Sequence, residues 1–357
     1  MDRRAFLRTT TAAAAVSALP WRGARAADDW KSYEVVTRVE ILKPRGASQA
    51  WVPLPLTEET AWFKAIGNNW SGNAAGARVV SDGKYGATML HAQWRDGEAA
   101  PFIEVSSRFM TRDHDVDLSR PGKNAATLPG ADREFYLAAT EMIPTDGIVK
   151  ETALDITKGA KGDVQKARAI YEWVVDNTFR DPKTRGCGWG DIKSMLETKN
   201  MGGKCGDLNA MFVGLARASG VPARDVYGLR VARSKHGYAS LGVGSPNVTR
   251  AQHCRAEFFA QGYGWVPVDP GDVRKVVLEE PSGNLAMRDA KVEAARKRLF
   301  GNWEMNWLAY NTGHDVKLPG SNAPKLPYLM YVNAETGGEI RDQLDPDGLK
   351  YTITAKT

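Results

Sequence analysis

The 357-residue sequence predicts an α+β fold, with a β-rich N-terminal region and then a core in which helices give way to antiparallel strands. Two observations carry this reading. Up to about residue 125 apolar residues alternate with polar ones, as on half-buried strands. After about residue 130 they recur every three or four positions, as on helices, and then return to short runs bounded by turn residues.

The elements follow in order. Within residues 33–42, Tyr33, Val35, Thr37, Val39 and Ile41 share one face, against Glu34, Arg38 and Glu40 on the other. Residues 102–110 repeat the pattern, with Ile103, Val105 and Phe109 against Glu104 and Arg108. Gly and Asn clusters at 67–76 and 82–86 supply turns. Asp113 to Asp117 reads as a solvated connector. A helix is expected over 132–142, stopped near Pro144, and a second runs from an N-cap at Asp163 to about Thr178. Leu208, Met211, Phe212, Leu215 and Ser219 then recur at helical spacing, with Gly220 as the C′ residue and Pro222 beyond it. Strands are expected at 225–231, 253–260 and 265–269, the last two joined by a turn at 261–264. A charged helix at about 286–299 and short strands near 328–332 and 349–354 close the chain. Trp303, Trp307 and Tyr310, at i, i+4 and i+7, read as a core stripe.

The N-terminus reads as an export signal over residues 1–26. Arg3-Arg4-Ala5-Phe6-Leu7-Arg8 resembles the bacterial twin-arginine motif, residues 9–19 are weakly apolar and too short to span a membrane, and Ala24-Arg25-Ala26 reads as a cleavage site. The expected location is periplasmic or secreted. Residues 1–26 hold five arginines and one acid, so without them the net charge of +6 falls by 4 to +2. A near-neutral mature chain lacks the electrostatic footprint of a nucleic-acid binder, and no apolar run approaches the roughly 20 residues of a membrane span.

Three cysteines remain: Cys187, Cys205 and Cys254. An odd count in an oxidising compartment suggests one bridge and one free thiol, and the sequence leaves open whether Cys187 and Cys254 pair. No C-x-x-C spacing occurs, and His91, His114, His236, His253 and His314 form neither an i, i+4 pair nor an H-E-x-x-H motif, so no metal or other cofactor is expected.

The chemistry concentrates at Cys205. Gly202-Gly203 precede its helix and place it in the first turn, where unpaired N–H groups and the positive dipole end favour a thiolate. The same N–H groups can hold an oxyanion. Trp189 and Asn200 are candidates for a further donor. His253 opens a strand, and a hairpin turning near Gln261 brings it roughly opposite Asp269, whose carboxylate can orient and stabilise an imidazolium. Cys254, next along the strand, is expected to point away from the face carrying His253. These residues make Cys205, His253 and Asp269 a candidate catalytic triad.

Here a family resemblance enters. Gly203-Lys-Cys205-Gly-Asp207, with Leu215-Ala-Arg217 and Gly220-Val-Pro-Ala-Arg224, resembles the nucleophile helix and following strand of bacterial transglutaminase-like proteins. His253-Cys-Arg-Ala-Glu257 and Gly262-Tyr-Gly-Trp265-Val-Pro-Val-Asp269-Pro270 resemble their histidine and aspartate strands. The resemblance is strong over about 130–275 and loose outside it, and Cys254 departs from it where many relatives carry an aromatic. It implies a papain/transglutaminase-like core, the nucleophile helix packed on an antiparallel sheet. The expected division is a leader at 1–26, a β-rich domain at 27–125, the catalytic core at 126–285 and a C-terminal helix and strands completing the core at 286–357. The implied activity is acyl transfer from amide or peptide bonds of a protein or peptide substrate through a Cys205 thioester. Hydrolysis is favoured, since no calcium-loop pattern of the animal cross-linking enzymes is evident. The alternatives are transglutaminase-type cross-linking and a non-catalytic binding or scaffold protein using Trp51, Trp62, Trp70 and Trp94.

Overall fold

The chain was analysed as a computed structural model that describes residues 29–122 and 127–356. The leader expected at 1–26 lies outside the described residues. Strand Lys31–Ile41 lies between Phe102–Thr111 and Leu349–Lys356 in a four-stranded antiparallel sheet, with Phe63–Gly72 beyond Phe102–Thr111. Its alternation reads directly into burial, with Tyr33, Val35, Thr37, Val39 and Ile41 buried in turn. A five-stranded sheet is built from Glu339–Ile340, Asn333–Thr336, Ser48–Pro53, Thr88–Trp94 and Gly76–Ser81. Both sheets therefore take strands from the two ends of the described chain.

The central layer is a third antiparallel sheet, in the order Gly264–Val268, Gln252–Ala260, Ala223–Arg230 and Trp307–Asn311. Helix Cys205–Ala218 packs on it, and every residue of that helix is buried. Apolar residues serve both sides: Met211, Phe212 and Leu215 join Phe258, Val266, Ile170 and Val174 in one core. Close approach needs small residues at particular points. A Cβ at Gly214 would lie 2.1 Å from Ile192 Cδ1, and one at Gly206 would lie 2.6 Å from the Cys187 carbonyl oxygen. The helix stops as its sequence dictates, with Gly220 at φ +87° and the Val221 N–H donating to the Ala216 carbonyl.

Several expectations change. The first core helix covers only Gly130–Leu137, because Ala138 is extended, and the second is capped by Lys161 and runs Gly162–Asn177. Helices Gly147–Ile156, Ile192–Thr198 and Pro270–Glu279 were not anticipated. The last was legible, since Asp269 caps it and Pro270 fills its first position. Trp303, Trp307 and Tyr310 are buried, but on the strands Asn302–Trp303 and Trp307–Asn311 rather than along a helix; all five residues of the second strand are buried, so periodicity could not identify it. The supposed connector is partly ordered, with His114–Asp115 pairing with Asn302–Trp303. Near the C-terminus, strands Leu326–Tyr328 and Asn333–Thr336 flank the 328–332 segment expected to be extended. No helix among the described residues is long and apolar enough to cross a membrane.

Phe258 fills the space between Phe212 and Phe300, with ring centroids at 6.3 and 5.5 Å. Phe258→Ala is expected to cost about 3–5 kcal/mol, read as a lower urea midpoint. An unchanged midpoint would show that this contact does not hold the helix on the sheet.

Candidate active site

Cys205 is the first residue of its helix, after Lys204 as N-cap. A buried carboxylate fixes this start. Asp207 Oδ1 accepts from the Trp189 and Gly190 N–H groups, both at 2.9 Å, and Oδ2 accepts from the Lys204 N–H at 3.0 Å. Burial pushes the Asp207 carboxyl up, and these donors oppose the shift. Gly188 makes room for it: at φ +92°, a Cβ there would lie 1.8 Å from Asp207 Oδ2. The Gly206 N–H is committed to the Cys187 carbonyl at 2.8 Å, which ties the preceding loop to the helix start.

The hairpin forms, but its register pairs Ala256 with Val268. Asp269 thus falls level with Arg255 rather than His253 and reaches the imidazole diagonally, Oδ2 lying 2.7 Å from His253 Nε2. A second carboxylate was not anticipated: Asp272 Oδ1 lies 3.4 Å from the same nitrogen, and Arg230 holds Asp272 at 2.5 and 2.7 Å. Asp269 is further braced. Its Oδ1 accepts from the Asp272 N–H at 3.0 Å and from Asn209 Nδ2 at 3.2 Å, while Asn209 also donates to the Cys254 carbonyl. Trp307 Nε1 donates to the His253 carbonyl at 3.2 Å. Burial and the Arg230 charge pull the His253 pKa down, but Asp272 and Asp269 overcome them and carry it up to about 9. Burial and the Asp272 charge push Asp269 up, whereas Arg230 holds Asp272 well below its ordinary range against burial.

All three cysteines are free and buried, and their sulfurs lie within 4.8 Å of one another. Cys254 follows His253 on a strand of unbroken register, yet its thiol still reaches the sulfur cluster. The neighbouring Cys187 and Cys254 thiols, then His253, hold the Cys205 thiol well below its ordinary value of 9.0 despite burial. Cys187 and Cys254 are correspondingly pushed up and stay protonated. Cys205, Cys187 and His253 line one cleft of about 700 Å³. Trp189 is exposed and its backbone N–H serves Asp207; the Asn200 carboxamide oxygen accepts from the Gly202 N–H. Neither lines this cleft. Of the four tryptophans weighed for binding, Trp51, Trp62 and Trp94 are buried and only Trp70 is exposed, so these four form no aromatic binding face.

The structure thus brings together the three residues selected from the sequence. Asp272, Arg230, Asn209 and Cys187 were missed. Asp272 carried a local signal, as the acid in the first turn of a Pro-initiated helix, and Asn209 lies one turn after Cys205 on the same helix; Arg230 and Cys187 reach the site from other elements.

A thiol at a helix start, set against a histidine–aspartate pair on an antiparallel sheet, defines a papain-like class of core. The model of the transglutaminase-like superfamily matches residues 150–270. A Haemophilus influenzae protein, described only as uncharacterized, is 37% identical over 341 residues, 91% of each chain. The chain belongs to the transglutaminase-like superfamily. Among solved structures, a candidate cysteine protease from Cytophaga hutchinsonii aligns over 92% of this chain and 99% of its own, with a TM-score of 0.52 and 11% identity, a likeness of fold.

Alkylation of Cys205 by iodoacetamide is expected to follow a thiolate titration whose midpoint lies well below 9.0. Cys187→Ala removes the neighbour that contributes most to this lowering and should move that midpoint to higher pH. Peptide-resolved mass spectrometry across a pH series measures both, and a midpoint near 9 in the parent chain would contradict the geometry.

Proposed function

We propose that this chain is an exported thiol enzyme that cleaves amide or peptide bonds by acyl transfer through Cys205, with water as acceptor. The observation that carries the reading is the hydrogen bond between His253 Nε2 and Asp269 beside a thiol at the first position of a buried helix. With Nε2 turned to the carboxylate, Nδ1 is the nitrogen left for the sulfur and substrate.

The reaction then runs in two halves. The Cys205 thiolate attacks the acyl carbon, and the carbonyl electrons move onto oxygen, where the Cys205 backbone N–H at the positive helix end stabilises the charge. As the intermediate collapses, the imidazolium gives its Nδ1 proton to the departing amine, leaving a thioester. Water, deprotonated by the now neutral imidazole, adds to the thioester carbon. Loss of the thiolate releases the carboxylic acid and restores the ion pair. Asp269 stays ionised throughout and holds the ring. Export is supported by the Arg3-Arg4 leader, whose removal leaves a nearly neutral chain.

Intact-mass trapping with an activated acyl ester tests this directly. The parent chain should gain an acyl adduct that Cys205→Ala lacks, and turnover should fall at least about a thousandfold in that variant. Added amine, competed against water, should leave the free acid as the main product; predominant amide would assign cross-linking instead. The proton donor is charged below its pKa, so kcat should decline as pH rises through about 9 and, on the acid side, as the thiolate is lost. An unmodified parent chain under these conditions would refute the thioester route.

A further inference from the structure

The cleft over Cys205 is strongly cationic. Arg180, Arg185, Lys204, Arg230, Arg250 and Lys275 all line it, and among the described residues no Asp or Glu does. Three carboxylates stand behind this lining. Glu279 pairs with Arg180 and lies 3.5 Å from Lys275, Asp342 pairs with Arg185, and Asp272 holds Arg230. Among the described residues, no carboxylate lies within the 4.0 Å ion-pair distance of Lys204 or Arg250. Six cations therefore face three acids, while His253 and Arg255 are balanced by Asp269 and the Cys205 thiolate. Position sharpens the point, since Lys204 adjoins the nucleophile and Arg250 stands exposed at the rim. A concave, low-dielectric wall focuses such a field into the space where the acyl group must sit.

We propose that the acyl donor is anionic: a peptide carrying a carboxylate beside the scissile amide, drawn in and oriented by Lys204 and Arg250. This rests on the thiol reading of the preceding subsection and names its substrate class. A neutral donor would leave the surplus of three cations to solvent ions alone, whereas a carboxylate supplies a fixed counter-charge and gains charge-assisted hydrogen bonds.

The experiment compares two reagents of nearly equal size, iodoacetate and iodoacetamide. In both the Cys205 sulfur displaces iodide and forms an S–CH2 bond, so they differ in charge alone. At roughly 0.01 M salt, where the Debye length is about 30 Å, the iodoacetate-to-iodoacetamide rate ratio at Cys205 should exceed that of glutathione by about tenfold or more. It should relax toward the glutathione value at roughly 1 M salt, where the screening length is about 3 Å. Arg250→Gln and Lys204→Gln should each lower the low-salt ratio, with peptide mapping assigning the label and Cys205→Ala as control. Acetyl-Glu-Glu amide should slow the iodoacetamide reaction more than acetyl-Gln-Gln amide does. A glutathione-like ratio beside fast iodoacetamide labelling, or equal effects of the two peptides, overturns the anionic donor and leaves the thiol reading standing. Silence toward both reagents overturns both.

Discussion

Buried charge has to be matched by buried charge, and around His253 the matching is nearly complete. Arg230, His253 and Arg255 are all buried, as are Asp269 and Asp272. His253 lies 2.7 Å from one carboxylate and 3.4 Å from the other, Arg230 clamps the second, and Arg255 Nε stands 3.7 Å from Asp269. Three cations against two anions would leave a surplus that a dry interior tolerates poorly. The thiolate of Cys205 is the third anion. An ionised sulfur is thus part of the electrostatic balance of this interior as well as the proposed reactive group. Chemistry and stability ask for the same protonation state.

Holding an anion there requires geometry that only a rigid helix start provides. Asp207 gathers three backbone N–H groups and fixes the loop ahead of the helix, the Gly206 N–H anchors that loop to Cys187, and Gly188 gives the carboxylate its room. The loop brings the Cys187 thiol beside that of Cys205, the three sulfurs lying within 4.8 Å of one another. Each contact is short in sequence on one side and long on the other, which joins local turn chemistry to tertiary position.

That division explains what the sequence could disclose. The Cys205 helix was legible because its apolar spacing, the paired glycines ahead of it and Gly220-Val-Pro behind it all act within one or two turns. The hairpin was legible from its turn residues, yet its register was off by two residues. Pairing is set by side-chain packing on both faces, not by distance from the apex. Arg230 and Cys187 reach the site from elements with no local mark of that destination, whereas Asn209 sits one turn along the Cys205 helix itself. Trp303 and Trp307 fit helical spacing by coincidence, because a strand buried on both faces has no period to read.

The cleft wall belongs to a different structural logic. Tyr331, Leu344 and Tyr351 come from the C-terminal segment, whose strands pair with Lys31–Ile41 and Ser48–Pro53 in the outer sheets. The Cys187 loop passes so close to this wall that a Cβ at Gly186 would lie 3.0 Å from both Leu344 and Tyr331, and the Arg185–Asp342 pair joins the two sides. The proposed reacting groups sit on the core helix and hairpin, whereas the surface facing them is pinned by sheets that include both ends of the described chain. Changes in the outer sheets can therefore reshape what the cleft accepts while the sulfur, imidazole and carboxylates keep their mutual geometry.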